Sequence, residues 1–229
     1  MKSKTYNKIN SFLKNKKQCP ICGTYQTEFL PHGDDTEITK KYKIIGSGLR
    51  NAKCVKCGSN DRERLMYVYI RDFVKPKGKV LHIAPEAVLR ALFKDTCYIK
   101  GDYFAIGYEY DNTISMDVRN LPFTDKTFDY VICNHVLEHV KEDIIAMKEL
   151  YRVCKNIAII QVPISNIINT IEHLEEYDRY DHVRIYGKDY IKKLESVGFI
   201  VKKINISSIK KYENYGINNK ENIFVGKKK

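Results

Sequence analysis

Residues 79–86 read KVLHIAPE, and residues 121–140 read LPFTDKTFDYVICNHVLEHV. Val80–Ala84 is a short apolar run that turns at Pro85, and Tyr130–Cys133 is a second run without a polar break. Continuous apolar runs this short suit strands buried on both faces of a parallel sheet. Outward from them the chain alternates between strand and helix periods. The expected strands are 79–84, 97–102, 113–116, 128–134 and 156–162, then 199–206 and 221–225. Helices are expected at 86–93, at 143–153, and at 189–197, where Gly198 ends the last. This alternation specifies a doubly wound α/β sheet.

In such a sheet, ligands bind beyond the carboxyl ends of the strands, where the strand order reverses. Several residues converge there. The turn Ile83-Ala84-Pro85-Glu86 follows the first strand. Asp102 closes the second strand, 20 residues after His82, where a carboxylate can accept both hydroxyls of a ribose. Asp117 follows the third strand and can take an adenine amino proton. Asn134 and His135 close the fourth. Neither G-x-G-x-x-G nor G-x-x-x-x-G-K-[ST] occurs, which disfavours NAD(P) and ATP and suits a nucleoside without phosphates.

The segments VLHIAPE, MDVRNLPFTDKTFDYVICNHVLEHV and AMKELYRVCKNIAIIQVP, continuing through DHVRIYGKDYIKKLESVGF, resemble class I S-adenosylmethionine-dependent methyltransferases of the type-11 group. The resemblance spans about residues 79–200. It implies a Rossmann-like sheet and S-adenosyl-L-methionine as cofactor. By position, His82, Ala84 and Pro85 would meet the methionine end. Asp102 would hold the ribose, Asp117 and Val118 the adenine, and Asn134 and His135 would flank the sulfonium. The first turn departs from the family, which usually carries an acidic residue and glycines where this chain has His82 and Ala84-Pro85.

Methyl transfer from a sulfonium needs an aligned nucleophile and a group that removes its proton. His135, His139, His173 and His182 are candidate bases, with His135 and His182 the expected catalytic pair. Glu138 is expected to orient a neighbour or cap a helix, and Cys133 to be core. Residues 164–186 have no clean period. As the expected acceptor cover, they offer Tyr177, Arg179, Tyr180, His182 and Arg184 to a small polar or phosphorylated acceptor.

Ahead of the sheet stand Cys19-Pro-Ile-Cys22-Gly23 and Cys54-Val-Lys-Cys57-Gly58, with 31 residues between Cys22 and Cys54. Two such knuckles supply Cys19, Cys22, Cys54 and Cys57 to a tetrahedral, structural Zn2+. Thiols stay reduced in the cytosol, the expected compartment, so paired cysteines there point to metal rather than disulfides. The module resembles zinc ribbons that precede some bacterial methyltransferases. The expected layout is a basic arm at 1–17, the zinc ribbon at 18–60 and the methyltransferase domain at 61–229. Asn60 or Asp61 caps a helix running to about Phe73, with Arg62, Arg64 and Arg71 expected on a solvated face.

The net charge of +12 sits at the ends of the chain. Residues 1–17 carry six Lys and no acid, and residues 202–229 carry eight Lys and two Glu, so the centre is neutral. That distribution disfavours a dedicated nucleic-acid face. No apolar run reaches the roughly 18 residues of a membrane span. The resulting expectation is an N- or O-methyltransferase for a small polar metabolite. Related zinc-ribbon members occur among surface-polysaccharide genes, which implies a sugar or phosphorylated amino-alcohol precursor. An rRNA base methyltransferase, and a non-catalytic zinc-ribbon protein with a degenerate methyltransferase domain, are the alternatives.

Overall fold

The computed structural model describes residues 16–103, 112–172 and 181–228. The basic arm, with the short helix expected near Ile9–Leu13, lies almost entirely outside the described residues. His173, Tyr177, Arg179 and Tyr180 lie outside them as well.

The N-terminal module is built from two hairpins. Strands β1 (Lys17–Gln18) and β2 (Tyr25–Gln26) pair around the first cysteine knuckle, and β3 (Leu30–His32) pairs with β4 (Arg50–Lys53) ahead of the second. Between β3 and β4 lies helix α1 (Glu37–Tyr42), whose first turn is closed by reciprocal hydrogen bonds between Thr36 and Thr39. The polar segment between the knuckles also reaches the larger domain: Ile45 bridges to Ile164, and the Ser165 hydroxyl donates to the Tyr42 carbonyl.

Helix α2 (Asp61–Tyr69) starts at a capping box. The Asn60 side chain accepts from the Glu63 amide at 3.0 Å, and the Glu63 carboxylate accepts from the Asn60 amide at 2.8 Å. A π-turn, Ile70–Val74, continues it until Lys75 turns left-handed, so the stop falls at the expected place.

The sheet has seven strands: β5 (Lys79–Ile83), β6 (Cys97–Asp102), β7 (Thr113–Ser115), β8 (Phe128–Asn134), β9 (Cys154–Gln161), β12 (Ile200–Ile204) and β13 (Ile223–Lys227). Their order is β12-β13-β9-β8-β5-β6-β7, and β13 alone runs against its neighbours. A short hairpin, β10 (Ile171–Glu172) with β11 (Arg184–Ile185), stands apart. Because β5 pairs with β6 on one side and β8 on the other, the chain reverses direction across the sheet there and opens a crevice.

Both faces are covered, which the continuous apolar strands required. Helix α3 (Asp143–Val153) buries Ala146, Met147, Leu150 and Val153 on one face, beside Tyr190 and Leu194 of α4 (Tyr190–Ser196). The other face packs Leu65, Val68 and Ile70 against Val80, Ile132 and Ile159. The segment Ala87–Phe93 is a 3-10 helix rather than the expected α-helix. No side chain caps its start, because the Glu86 carboxylate is committed to His82 and Asn134.

Candidate active site and metal centre

The four knuckle cysteines converge. Their sulfurs lie within 4.8 Å of one another, with Cys19 and Cys57 at 3.6 Å and Cys22 and Cys54 at 3.7 Å. Four sulfurs about 2.3 Å from one tetrahedral ion are about 3.8 Å apart, whereas a disulfide needs about 2.05 Å. The cluster therefore fits a structural Zn2+. Gly23 and Gly58 have φ of 73° and 72°, so both knuckles turn the same way, and each glycine amide returns to the first cysteine's carbonyl. The Ser59 hydroxyl lies 3.4 Å from Cys19 Sγ and 3.2 Å from Cys57 Sγ. Burial pushes the Cys19 thiol up to about 12, so losing that proton at neutral pH calls for a cation.

Beneath the cluster lies Arg64, wholly buried rather than on the expected solvated face. It donates to the carbonyls of Ser59, Tyr215 and Gly216 at 2.6–2.9 Å, and its guanidinium stacks on Phe29. A second rivet is the two-pronged pair from Arg50 of β4 to Asp61 of α2, at 2.6 and 2.7 Å. The module is thus fixed to the start of α2.

At the crevice, a cavity of about 570 Å3 opens at the carboxyl ends of β5, β6 and β7. Ala84, Asp102, Asp117, Val118 and His135 of the expected residues line it, together with Met116 and Val136. Gly101 makes the floor possible, since a Cβ there would meet the Met116 sulfur at 2.2 Å. Asp117 accepts four hydrogen bonds from Arg119, through its amide and its guanidinium, so much of its acceptor capacity is already used.

Three described non-glycine residues lining the crevice are left-handed: Ala84 at φ 49°, His135 at φ 54° and Asp181 at φ 57°. Ala84 and His135 each end a parallel strand and tie the amide to the neighbouring strand, Ala84 to Gly101 and His135 to Gln161. Left-handed backbone costs an L-residue about 1 kcal/mol. Ala84 therefore adopts, without glycine, the turn for which the resembled family uses glycine.

Three expected cofactor contacts lie elsewhere. His82 follows the pleat to the opposite face from Leu81 and Ile83. Fully buried there, it bonds Tyr98 at 2.9 Å and Glu86 at 2.7 Å. Asn134 turns to Glu86 at 3.0 Å and lines a smaller cavity of about 260 Å3 with Ala84 and His135. Pro85 is buried and lines neither.

His135 also borders a separate polar cavity of about 730 Å3. Its other walls are Glu138, His139 and His182 from the α/β domain, with Arg62 from α2, and residues 31–34 and 46–50 from the module. Nδ1 of His135 sits 3.2 Å from the Arg62 guanidinium and 3.3 Å from Glu138 Oε1. Burial and the Arg62 charge hold the imidazole below its usual value, against the pull of Glu138, so it is neutral at pH 7. Burial pushes the Cys133 thiol up, consistent with core rather than nucleophile. Arg62 was missed as a site residue. No periodicity marks it, since only the fold brings residue 62 to residue 135.

Arg184 does not face an acceptor. It is buried, and its donors go to the carbonyls of Leu137, Val140 and Lys141 and to the Glu172 carboxylate. With the Val183 amide on the Glu138 carbonyl, it clamps the His182 segment to the turn carrying Glu138 and His139.

Residues 85–160 match the family model described as a methyltransferase domain. A SAM-dependent methyltransferase from Archaeoglobus fulgidus superposes with a TM-score of 0.52 at 18% identity, over 83% of this chain and 98% of that one. The α/β domain has a Rossmann-like methyltransferase fold. The [4+2]-cyclase SpnF also superposes, with a TM-score of 0.50 at 13% identity, over 72% of this chain and 81% of its own. Likeness at these identities is of fold alone, and the methyltransferase fold must be read through its site. No curated protein matches the sequence.

Proposed function

We propose that the chain transfers a methyl group from S-adenosylmethionine to an oxygen or nitrogen of a small, polar, anionic metabolite. The carrying observation is the position of His135, a neutral imidazole shared by the crevice at the strand ends and the polar cavity. Fit to the cofactor rests on chemistry present in the crevice. Asp102 offers a carboxylate to a ribose, while Met116, Val118 and Val136 form an apolar wall for a purine. When bound, the cofactor supplies a methyl already activated on a sulfonium, so the protein's work is alignment and proton removal.

In this reading His135 takes the acceptor's proton. Nε2 is the ring nitrogen that neither Arg62 nor Glu138 faces, and the Glu138 carboxylate, 3.3 Å from Nδ1, steadies the imidazolium that forms. Arg50, Lys53 and Arg62 line the polar cavity and favour a phosphorylated or carboxylated acceptor, such as a sugar phosphate or phosphorylated amino alcohol. The test is transfer of labelled methyl to panels of sugar phosphates, phosphorylated amines and RNA. Transfer to a small acceptor that persists at about 0.3 M salt supports the reading. Transfer only to RNA, falling steeply with salt, overturns it.

A further inference from the structure

The polar cavity holds a group that neither the nucleoside crevice nor the zinc knuckle explains. Glu138 is 1% exposed, lines the cavity, and, among the described residues, has no hydrogen-bond partner for either carboxylate oxygen. The His135 imidazole, with Nδ1 3.3 Å from Oε1, reaches a single oxygen. An ionised carboxylate taken out of water costs several kcal/mol, on the order of a small domain's whole stability, unless a counter-charge meets it.

Two imidazoles stand ready beside it. One ligand atom each from Glu138, His139 and His182 lie within 4.8 Å of one another. The arrangement is braced. Glu138 and His139 share one 3-10 turn, Leu137–His139. Arg184 and the Val183 amide bind that turn to the segment just ahead of β11, which carries His182. We propose that Glu138, His139 and His182 form a second metal site, holding a divalent transition-metal ion between the two cavities. Two imidazoles and one carboxylate are an oxygen- and nitrogen-donor set suited to Zn2+, Mn2+ or Co2+. Three protein ligands leave a coordination position open. Its natural occupant is an oxygen of the acceptor, which would fix that molecule beside His135; this orienting role rests on the proposed methyl transfer, whereas the ion site does not.

Two of the cations lining the cavity are engaged elsewhere, Arg50 with Asp61 and Arg62 with His135. The knuckle differs in kind: four thiolates close a tetrahedron and leave no open position.

Cobalt(II) distinguishes the two sites in one sample. Thiolate-to-cobalt charge-transfer bands report the knuckle alone. We expect the wild-type chain to take up about two equivalents, the second without adding to those bands. His139→Ala, at an exposed position, should weaken the second equivalent by at least about 10-fold and leave the thiolate bands unchanged, which also shows that the variant is folded. Glu138→Gln should do the same. Uptake of a single equivalent by the wild type, or a second equivalent unaffected in His139→Ala, overturns the site. Neither readout depends on catalysis, so failure of the site and failure of the methyl-transfer reading are separable.

Discussion

The guanidinium of Arg64 lies 3.7 Å from the centre of the Phe29 ring. One residue belongs to the helix that opens the α/β domain and the other to the core of the cysteine module. The contact joins two cores of unlike origin, one apolar and one organised around four sulfurs. Arg64→Leu should therefore leave the Ser59, Tyr215 and Gly216 carbonyls short of donors and cost at least about 3 kcal/mol in chemical denaturation. Stripping the metal with a strong chelator should lower the melting temperature of the whole chain. An unchanged melting curve for metal-free protein would separate the two cores.

Asp102 is the sharpest test of the nucleoside crevice. Asp102→Ala should weaken S-adenosylhomocysteine at least about 10-fold by calorimetry, the loss expected for hydrogen bonds to a charged group. Asp117→Ala should cost less, because Arg119 already occupies that carboxylate. Equal affinity in Asp102→Ala and wild type would remove Asp102 from the site.

The pH dependence follows from His135. Burial first, then the charge of Arg62, depress its proton affinity. A depressed base stays unprotonated further toward acid than an ordinary histidine, so activity should hold at neutral pH and fall only below the ordinary histidine range. Arg62→Gln removes the cation, lets the imidazole bind its proton more readily, and should move the acid limb to higher pH. A limb that does not move would show that another group titrates.

Glu221 makes a prediction about stability alone. Burial, opposed by Arg62, pushes its carboxyl up to about 7, and one of its oxygens has no hydrogen-bond partner. In the unfolded chain a glutamate titrates near ~4.3. The folded state therefore carries no penalty below the unfolded value, and the cost grows as pH rises through about 7. Glu221→Gln should be nearly neutral at pH 4 and stabilise by up to about 3 kcal/mol at pH 8. Equal gains at both pH values would exclude ionisation as the cause.

The sheet was legible because its signal is local. Tyr130–Cys133 and Val80–Ile83 announce buried parallel strands, and β6 and β8 begin and end where periodicity places them. The knuckles were legible for the same reason, since C-x-x-C-G carries its own geometry. Arg64 was misjudged although a signal existed: Val68 stands one helical turn on and completes a buried stripe with Leu65. His82 carries its own signal, since pleat alternation sets it on the face opposite Leu81 and Ile83. Arg62 and the inward turn of Arg184 were not legible at all. Each depends on a partner 73 or 43–47 positions away, and a charged side chain carries no mark of where it will point.

The walls of the polar cavity carry a consequence for engineering. One side comes from the α/β domain and the other from residues 31–34 and 46–50, inserted between the two knuckles. The cysteine module is therefore not a detachable handle. On the proposed reading, the segment inserted between the two knuckles forms one wall of the acceptor cavity, so a library built on residues 33–34 and 46–49 would vary that wall while leaving β3, β4 and the Arg50–Asp61 pair in place.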